Sequence, residues 1–233
     1  MGIFIKGEKV DLTAPLDSDF ETWGQWFNDE KITRYMDIGV GPFNATTQKK
    51  FYHNSVEAGR FLALIKSREG DLLGVTSLSE INYQNKSCQI SSVCPVFKRR
   101  YPLAALEGRA LTVKYAFEEL GMNRIYSGNV YPGNYKWYQS YSTLGFSPEG
   151  VFKSYMYKNR KFLDVLRVSL LYDDYKSIKT RRGGDIWLGE EKMMKLIKGY
   201  RKNETSGKKL YQIINEIKQD NNAYLRSIEA DFV

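Results

Sequence analysis

Three strand-like segments in succession constrain the fold of this chain more than any other part of its sequence. They occupy residues 61–66, 72–78 and 86–93, and the turn signals Glu69-Gly70-Asp71 and 82–85 separate them. Connections this short join antiparallel neighbours. The three segments therefore predict an antiparallel meander.

Helices and strands alternate after the meander. The segment Leu106–Leu120 consists of good helix formers and ends before Gly121, a residue type that commonly terminates helices. A strand, a helix and two final strands are predicted at Arg124–Val130, Tyr135–Leu144, Val151–Tyr157 and Leu163–Leu171. This order predicts an α/β fold whose mixed α+β sheet is flanked by helices.

The N-terminal region adds a strand and two helices. Residues 3–12 alternate between apolar and polar and predict an edge or first strand. Asp17 is the expected N-cap of a helix over Asp17–Phe27, where aromatic residues recur at helical spacing. A second helix is predicted from Thr46 or Thr47 to about Glu57.

Composition excludes several classes of protein. No apolar run approaches the ~18 residues that a membrane span needs, and the N-terminus is charged too early, at Lys6, for a secretory signal. Cys88 and Cys94 lie in one strand region, which favours two reduced thiols. With one histidine and no cysteine cluster, no metal site is expected. These features together predict a cytoplasmic protein.

The net charge of +8 indicates phosphate groups among the ligands or partners. The basic clusters are short, at Lys98-Arg99-Arg100 and Arg181-Arg182, and no long basic stripe appears. This distribution argues against a nucleic-acid surface and for the phosphates of a small molecule.

Two features between 98 and 146 point to chemistry. The basic residues Lys98–Arg100 precede a helix, and a loop that leads into a helix N-terminus can hold phosphates. Tyr141, on a second helix and seven residues after Asn134, is a candidate proton donor. Each of these residues also has a purely structural interpretation. The basic residues could form an exposed loop, Tyr141 could be a buried helix residue, and Asn134 could be a helix N-cap.

The order of these motifs resembles the GNAT superfamily of acyl-CoA-dependent N-acetyltransferases. The block Tyr115-Ala116-Phe117-Glu118-Glu119-Leu120-Gly121 is followed at family spacing by Asn134, Tyr141 and Gly145-Phe146, within a resemblance that covers about residues 3–172. The chain is most similar to the branch that includes ribosomal-protein N-terminal and amino-sugar acetyltransferases. The resemblance implies a mostly antiparallel central sheet and acetyl-CoA as the acyl donor.

The resemblance also implies where acetyl-CoA binds. The family's pyrophosphate loop, Gln/Arg-x-x-Gly-x-Gly/Ala, falls on residues 100–105, where Arg100 and Ala105 match but Leu103 replaces a glycine and Pro102 lacks an N–H. Tyr141 is implied as the general acid toward the leaving thiolate. The implied contacts to acetyl-CoA come from Val93, Cys94, Lys98, Arg99, Arg100, Ala104, Ala105 and Asn134.

The general base and the acceptor pocket are less defined. Relatives often carry Glu where this chain has Gln89, which cannot accept a proton. Glu80 is the candidate base; the alternatives are Asp37, His53 and a water chain that uses Ser91 or Ser92. The acceptor pocket is expected to use aromatic residues of nearby loops, namely Trp26, Tyr35 and Tyr83.

The sequence therefore predicts an N-acetyltransferase that acts by direct attack of a primary amine on acetyl-CoA. The expected acceptor is a small molecule such as an amino sugar or a sugar nucleotide. A protein N-terminus is one alternative, and the departures at Leu103 and Gln89 allow a second, a catalytically degenerate binding protein.

The C-terminal region differs from the rest of the chain in its residue pattern. Arg181-Arg182-Gly183-Gly184 indicates a linker between an acetyltransferase domain over 1–182 and a helical extension over 183–233. Helices are predicted at Trp187–Tyr200 and around 210–217. They are too few to form their own core, so they pack on the main domain, on a second copy in a homodimer, or on another partner.

Overall fold

A single eight-stranded sheet forms the centre of the computed structural model, which describes residues 2–36, 42–131 and 135–202 together with Gln212, Asn215 and Glu216. Its spatial order is β1-β2-β3-β4-β5-β6-β8-β7. Neighbouring strands are antiparallel except for β5 and β6, which are parallel. The strands are β1 Ile3–Lys6, β2 Val10–Thr13, β3 Phe61–Ser67, β4 Leu72–Asn82, β5 Ser87–Val93, β6 Arg124–Tyr131, β7 Ser147–Lys158 and β8 Lys161–Leu171.

Seven helices flank this sheet within the described ranges, and a π-helical turn over Tyr115–Glu119 continues the fourth. None of them is long and apolar enough to cross a membrane. The helices are α1 Asp19–Asn28, α2 Glu30–Thr33, α3 Ala45–Glu57, α4 Ala104–Lys114, α5 Tyr135–Thr143, α6 Tyr172–Arg181 and α7 Glu190–Lys202. The mixed, mostly antiparallel sheet confirms the predicted fold class.

The meander predicted from the sequence is confirmed as β3, β4 and β5, but the single strand predicted at 3–12 is wrong. That segment forms the β1–β2 hairpin, which reverses at Gly7. A Cβ at Gly7 would lie 2.2 Å from the carbonyl oxygen of Val10, so a side chain has no room there. The buried carboxylate of Glu107 on α4 accepts hydrogen bonds from the backbone of Glu8 and Lys9 and fixes this turn.

Two helix starts differ from the predictions. Asp17 is not an N-cap: α1 begins at Asp19, whose carboxylate accepts from the backbone N–H of Leu16 at 2.7 Å. The next long helix begins at Ala45, because Asn44 and Thr47 form a reciprocal capping box in front of it.

The helix α6 was not predicted from the sequence. Its ten residues bury one side chain, Tyr175, so no apolar periodicity marks the helix. Tyr175 is anchored from outside the helix by a hydrogen bond to Glu118.

The first part of the C-terminal extension packs on the main domain. Ile186 and Met193 are fully buried in the same core as Leu106, Val113 and Leu170. Glu8 adds polar contacts, because its carboxylate accepts from the Trp187 indole N–H and from the backbone of Glu190, each at 2.9 Å. The predicted helix around 210–217 lies almost wholly outside the described residues. A division of the chain at 183 stays a prediction.

A buried ion pair fastens α1 to the sheet. Lys66 on β3 places its Nζ 2.7 Å from the Asp19 carboxylate, and the two side chains are 3% and 9% exposed. Removing one partner of such a pair leaves an uncompensated buried charge, which costs far more than losing a surface pair.

We expect Lys66→Met to lower the free energy of unfolding by about 3–5 kcal/mol in chemical denaturation. Adding Asp19→Asn to this variant should recover much of the loss, because Asn is neutral and still accepts from Leu16. The matched control is Lys49→Met, which breaks the exposed Lys49–Asp17 pair and should cost less than about 1 kcal/mol. Equal losses at the two lysines would contradict this account.

Candidate active site

The parallel pairing between β5 and β6 ends after three residue pairs. Ser87, Cys88 and Gln89 pair with Arg124, Ile125 and Tyr126, and the strands then separate although both continue. A cavity of about 310 Å³ opens at this divergence. Both strands line it, through Ser91, Ser92 and Val93 on one side and Ser127, Gly128 and Asn129 on the other.

Tyr141 on α5 lines this cavity and is otherwise packed in the core. Its side chain is 1% exposed, and its ring lies 4.5 Å from Trp137 and 4.9 Å from Phe146 between centroids. The Tyr141 hydroxyl is 3.2 Å from Ser127 Oγ, which donates to the carbonyl of Ile90 at 2.8 Å. The Tyr141 oxygen accepts in the contact with Ser127, so the phenol proton remains available for a ligand atom.

A buried arginine that the sequence analysis missed lies against Tyr141. The Arg109 side chain on α4 donates to Ser92 Oγ from Nε at 3.1 Å and from Nη2 at 2.7 Å, and also to Ser140 Oγ. Its guanidinium carbon lies 4.2 Å from the centre of the Tyr141 ring. No carboxylate among the described residues pairs with it. The signal in the sequence was a pair of charged residues, Glu107 and Arg109, among the small and apolar residues of one helix.

Glu80 lies on the other side of the cavity, in a strained conformation. Its φ of 51° falls in the left-handed region, at an irregularity in the β4–β5 register between Ser79 and Asn82. The Tyr126 hydroxyl donates to Glu80 Oε2 at 2.6 Å. Burial, together with this bond to Glu80, raises the pKa of Tyr126 to about 12, so Tyr126 stays protonated. Glu80 also lines the cavity.

The other acceptor-side candidates separate into three groups. Tyr35 lines the cavity, as do Gln89, Ser91 and Ser92 of β5. Tyr83 is exposed and lines an adjoining depression of about 640 Å³. Trp26 is packed in the aromatic core, and His53 stacks edge-on against Tyr52 and lines neither cavity. Asp37 lies outside the described residues.

The cofactor-side candidates lie at the end of β5 and in the loop that follows it. Val93 lines the cavity and Cys94 comes next, with its thiol donating to the carbonyl of Leu73 at 3.2 Å. Ala104 and Ala105 form the first turn of α4, preceded by Leu103 without a side-chain cap. Asn134 lies outside the described residues.

The basic loop is paired with the neighbouring β3–β4 turn. Lys98 Nζ lies 2.7 Å from Asp71 Oδ2, and this contact lowers the pKa of the Asp71 carboxyl. Arg100 Nη2 lies 2.8 Å from Glu69 Oε1. Arg99 is exposed and belongs to no ion pair of the described residues. Both pairs are exposed, so phosphates can compete for them.

Comparisons with known proteins agree with this geometry. Residues 9–147 match the family model described as "Acetyltransferase (GNAT) domain". The chain is 24% identical to an uncharacterized N-acetyltransferase, p20, from Bacillus licheniformis, over 72% of this chain and 96% of that protein.

Solved structures share the fold at low sequence identity. A spermidine N-acetyltransferase from Vibrio cholerae, solved with CoA and spermine, aligns with a TM-score of 0.65 at 20% identity, over 73% of this chain and 99% of that one. A GNAT-family acetyltransferase from Bacillus anthracis aligns with a TM-score of 0.62 at 21% identity, over 73% and 99%. The family match, the separated strands and the fold lead to one conclusion: this chain belongs to the GNAT family of acetyltransferases.

Proposed function

We propose that this protein transfers the acetyl group of acetyl-CoA to a primary amine of a small molecule, such as an amino sugar or a sugar nucleotide. One observation carries the proposal: the gap between β5 and β6 opens directly onto Tyr141. Backbone groups at this gap have lost their strand partner, so they are free to bind the acyl arm and the oxyanion of the intermediate. Similarity to a spermidine acetyltransferase supports a small amine as the acceptor.

Tyr141 acts as the general acid in this proposal. The thiolate of CoA leaves when the tetrahedral intermediate collapses, and Tyr141 protonates its sulfur. Arg109 lies against the phenol ring and stabilises the negative charge that develops on the oxygen as the proton departs.

Glu80 is the proposed general base. Tyr126 fixes the orientation of the carboxylate through Oε2, which leaves Oε1 to take the ammonium proton, directly or through a water. The strained backbone at Glu80 is consistent with a residue held in place for this role.

The chemistry of the cysteines favours direct attack over an acetyl-enzyme intermediate. Burial raises the pKa of Cys94 to about 11 and that of Cys88 to about 12. Only a thiolate is a competent nucleophile, and at neutral pH both groups remain thiols. The amine therefore attacks the thioester itself.

The pyrophosphate of CoA is proposed to bind at the N-terminus of α4. The first turn of the helix offers backbone N–H groups and the positive end of the helix dipole. Pro102 provides no N–H and Leu103 adds bulk, so Lys98, Arg99 and Arg100 contribute more than they would beside a glycine-rich loop.

We expect Tyr141→Phe to reduce kcat by about tenfold or more, because the leaving thiolate loses its proton donor. The assay is thiol release from acetyl-CoA with a panel of amines, sugar nucleotides included. The KM for acetyl-CoA and the melting temperature should change little. Tyr138→Phe, one turn earlier on α5, is the matched control, and an unchanged rate in Tyr141→Phe would remove Tyr141 from the mechanism.

Arg109→Met should separate activity from stability. The variant loses the charge beside Tyr141, so we expect kcat to fall about tenfold. The variant loses the hydrogen bonds to Ser92 and Ser140 but no longer buries an uncompensated charge. Because these two effects oppose each other, we expect the melting temperature to change little. Arg109→Lys should recover part of the rate. A drop in rate that tracks a loss of folded protein would contradict this role.

Arg100→Ala should weaken CoA binding by about fivefold, near 1 kcal/mol, as measured by calorimetry. Glu69→Gln is the counterpart that frees Arg100 from its ion pair, and it should bind CoA at least as tightly as the unaltered protein. Unchanged affinity in Arg100→Ala would place the phosphates elsewhere.

A further inference from the structure

We infer that the acceptor carries an anionic group, a phosphate or a carboxylate, beside its amine, and that Arg167 and Arg60 bind that anion. This inference rests on the proposed function, because it describes the second substrate of the same site. It distinguishes the acceptor from a polyamine, whose charged groups are all ammonium groups.

The charges on the cavity wall favour an anion. Three charged side chains line the cavity among the described residues, and two of them, Arg60 and Arg167, are cationic. The third is Glu80, which already accepts from Tyr126. A single carboxylate can pair with one amine, whereas a polyamine would bring further ammonium groups toward the two arginines.

Arg167 on β8 is positioned by aromatic rings and forms no ion pair with another described residue. Its guanidinium carbon lies 5.7, 4.8 and 5.2 Å from the ring centres of Tyr126, Phe152 and Tyr155. Nη2 donates to the Tyr155 hydroxyl at 3.2 Å, and Nε is buried with no hydrogen-bond partner. Among the described residues no carboxylate lies within ion-pair distance of this guanidinium. Glu149, whose pKa Arg167 helps to lower, is itself paired with Arg124, so aromatic rings orient the Arg167 guanidinium and an anionic ligand can bind it.

Gly128 on β6 makes this position of Arg167 possible. The two residues face each other across the β6–β8 pair. A Cβ at Gly128 would lie 3.1 Å from Arg167 Cδ and 3.4 Å from Nη1, so any side chain there would crowd the arginine. The glycine lets the guanidinium lie over the strand that forms one wall of the cavity.

Arg60 extends the cationic wall outward. It directly precedes β3 and lines both the cavity and the adjoining depression, as do Phe51, Ser79 and Glu80. It belongs to no ion pair of the described residues. An acceptor can therefore place its amine at Glu80 while its anionic group reaches the guanidinium groups, which bind phosphate and carboxylate oxygens in forked geometry.

Matched acceptors test the inference. We expect the kcat/KM for glucosamine 6-phosphate to exceed that for glucosamine by at least about tenfold. The kcat/KM for an amino acid should likewise exceed that for its amide. Spermidine should be the poorest acceptor. The two pairs tell a phosphate-bearing acceptor from a carboxylate-bearing one. A preference for spermidine, or equal rates within both pairs, would overturn the inference and leave acetyl transfer itself intact.

Substitutions of Arg167 and Arg60 test whether these residues bind the anionic group of the acceptor. Arg167→Met should raise KM for the preferred anionic acceptor about tenfold, with smaller changes for its neutral partner and for acetyl-CoA. Arg60→Met should act in the same direction. Arg160→Met, in the exposed β7–β8 turn, is the control that removes a charge away from the cavity. An unchanged KM in Arg167→Met would overturn the assignment.

A binding measurement decides the inference if no amine releases thiol. Calorimetry on the CoA-loaded protein should then show binding of glucosamine 6-phosphate or of the amino acid, and loss of that binding in Arg167→Met. Absence of turnover would count against the proposed function. Absence of binding by every anionic acceptor would count against the inference.

Discussion

The early end of the β5–β6 pairing is the constraint on which the rest of the structure depends. Each unpaired backbone group in a buried sheet has a cost, so the gap persists only because both halves of the sheet are held by other means. β1 to β5 form one antiparallel ladder, and β6, β8 and β7 form the other. The core beneath, which contains residues of α4, the end of α5 and α7, joins the two ladders. The cleft between them is therefore a stable part of the fold.

A second constraint is electrostatic. The protein buries the guanidinium of Arg109 beside Ser92, Ser140 and an aromatic ring, where water cannot solvate it. Natural proteins seldom retain a buried charge without a carboxylate partner, because desolvation is expensive. The Arg109 guanidinium can stabilise negative charge that forms nearby. During acyl transfer from a thioester, negative charge develops on the oxyanion, on the sulfur and on the tyrosine that donates its proton. In the proposed mechanism, the activity of the protein uses a charge whose burial costs stability.

Much of the fold followed from local patterns, and much of the site did not. Periodicity and turn residues predicted the meander, the helix that ends before Gly121 and the strand that begins at 124. The structure confirmed these predictions. The hairpin at Gly7 and the helix over 172–181 depend on contacts with Glu107 and Glu118, which are distant in sequence. In the sequence, Arg109 and Arg167 cannot be told from surface basic residues. Their surroundings, and the lack of an ion pair to either among the described residues, are evident only in the structure. Family resemblance pointed to Tyr141 because its spacing is a local property.

The position of β8 in the sheet has a consequence for how far family membership informs on this protein. β8 lies between β6 and β7, pairs with every residue of β6, and carries Arg167. The residues that match the family model end at 147, before this strand begins. The match to the family model thus covers the proposed donor site, whereas Arg167, the residue proposed to bind the acceptor, lies on a strand beyond that match. If Arg167 binds the acceptor as proposed, two members with the same donor chemistry would differ in acceptor through one side chain on β8.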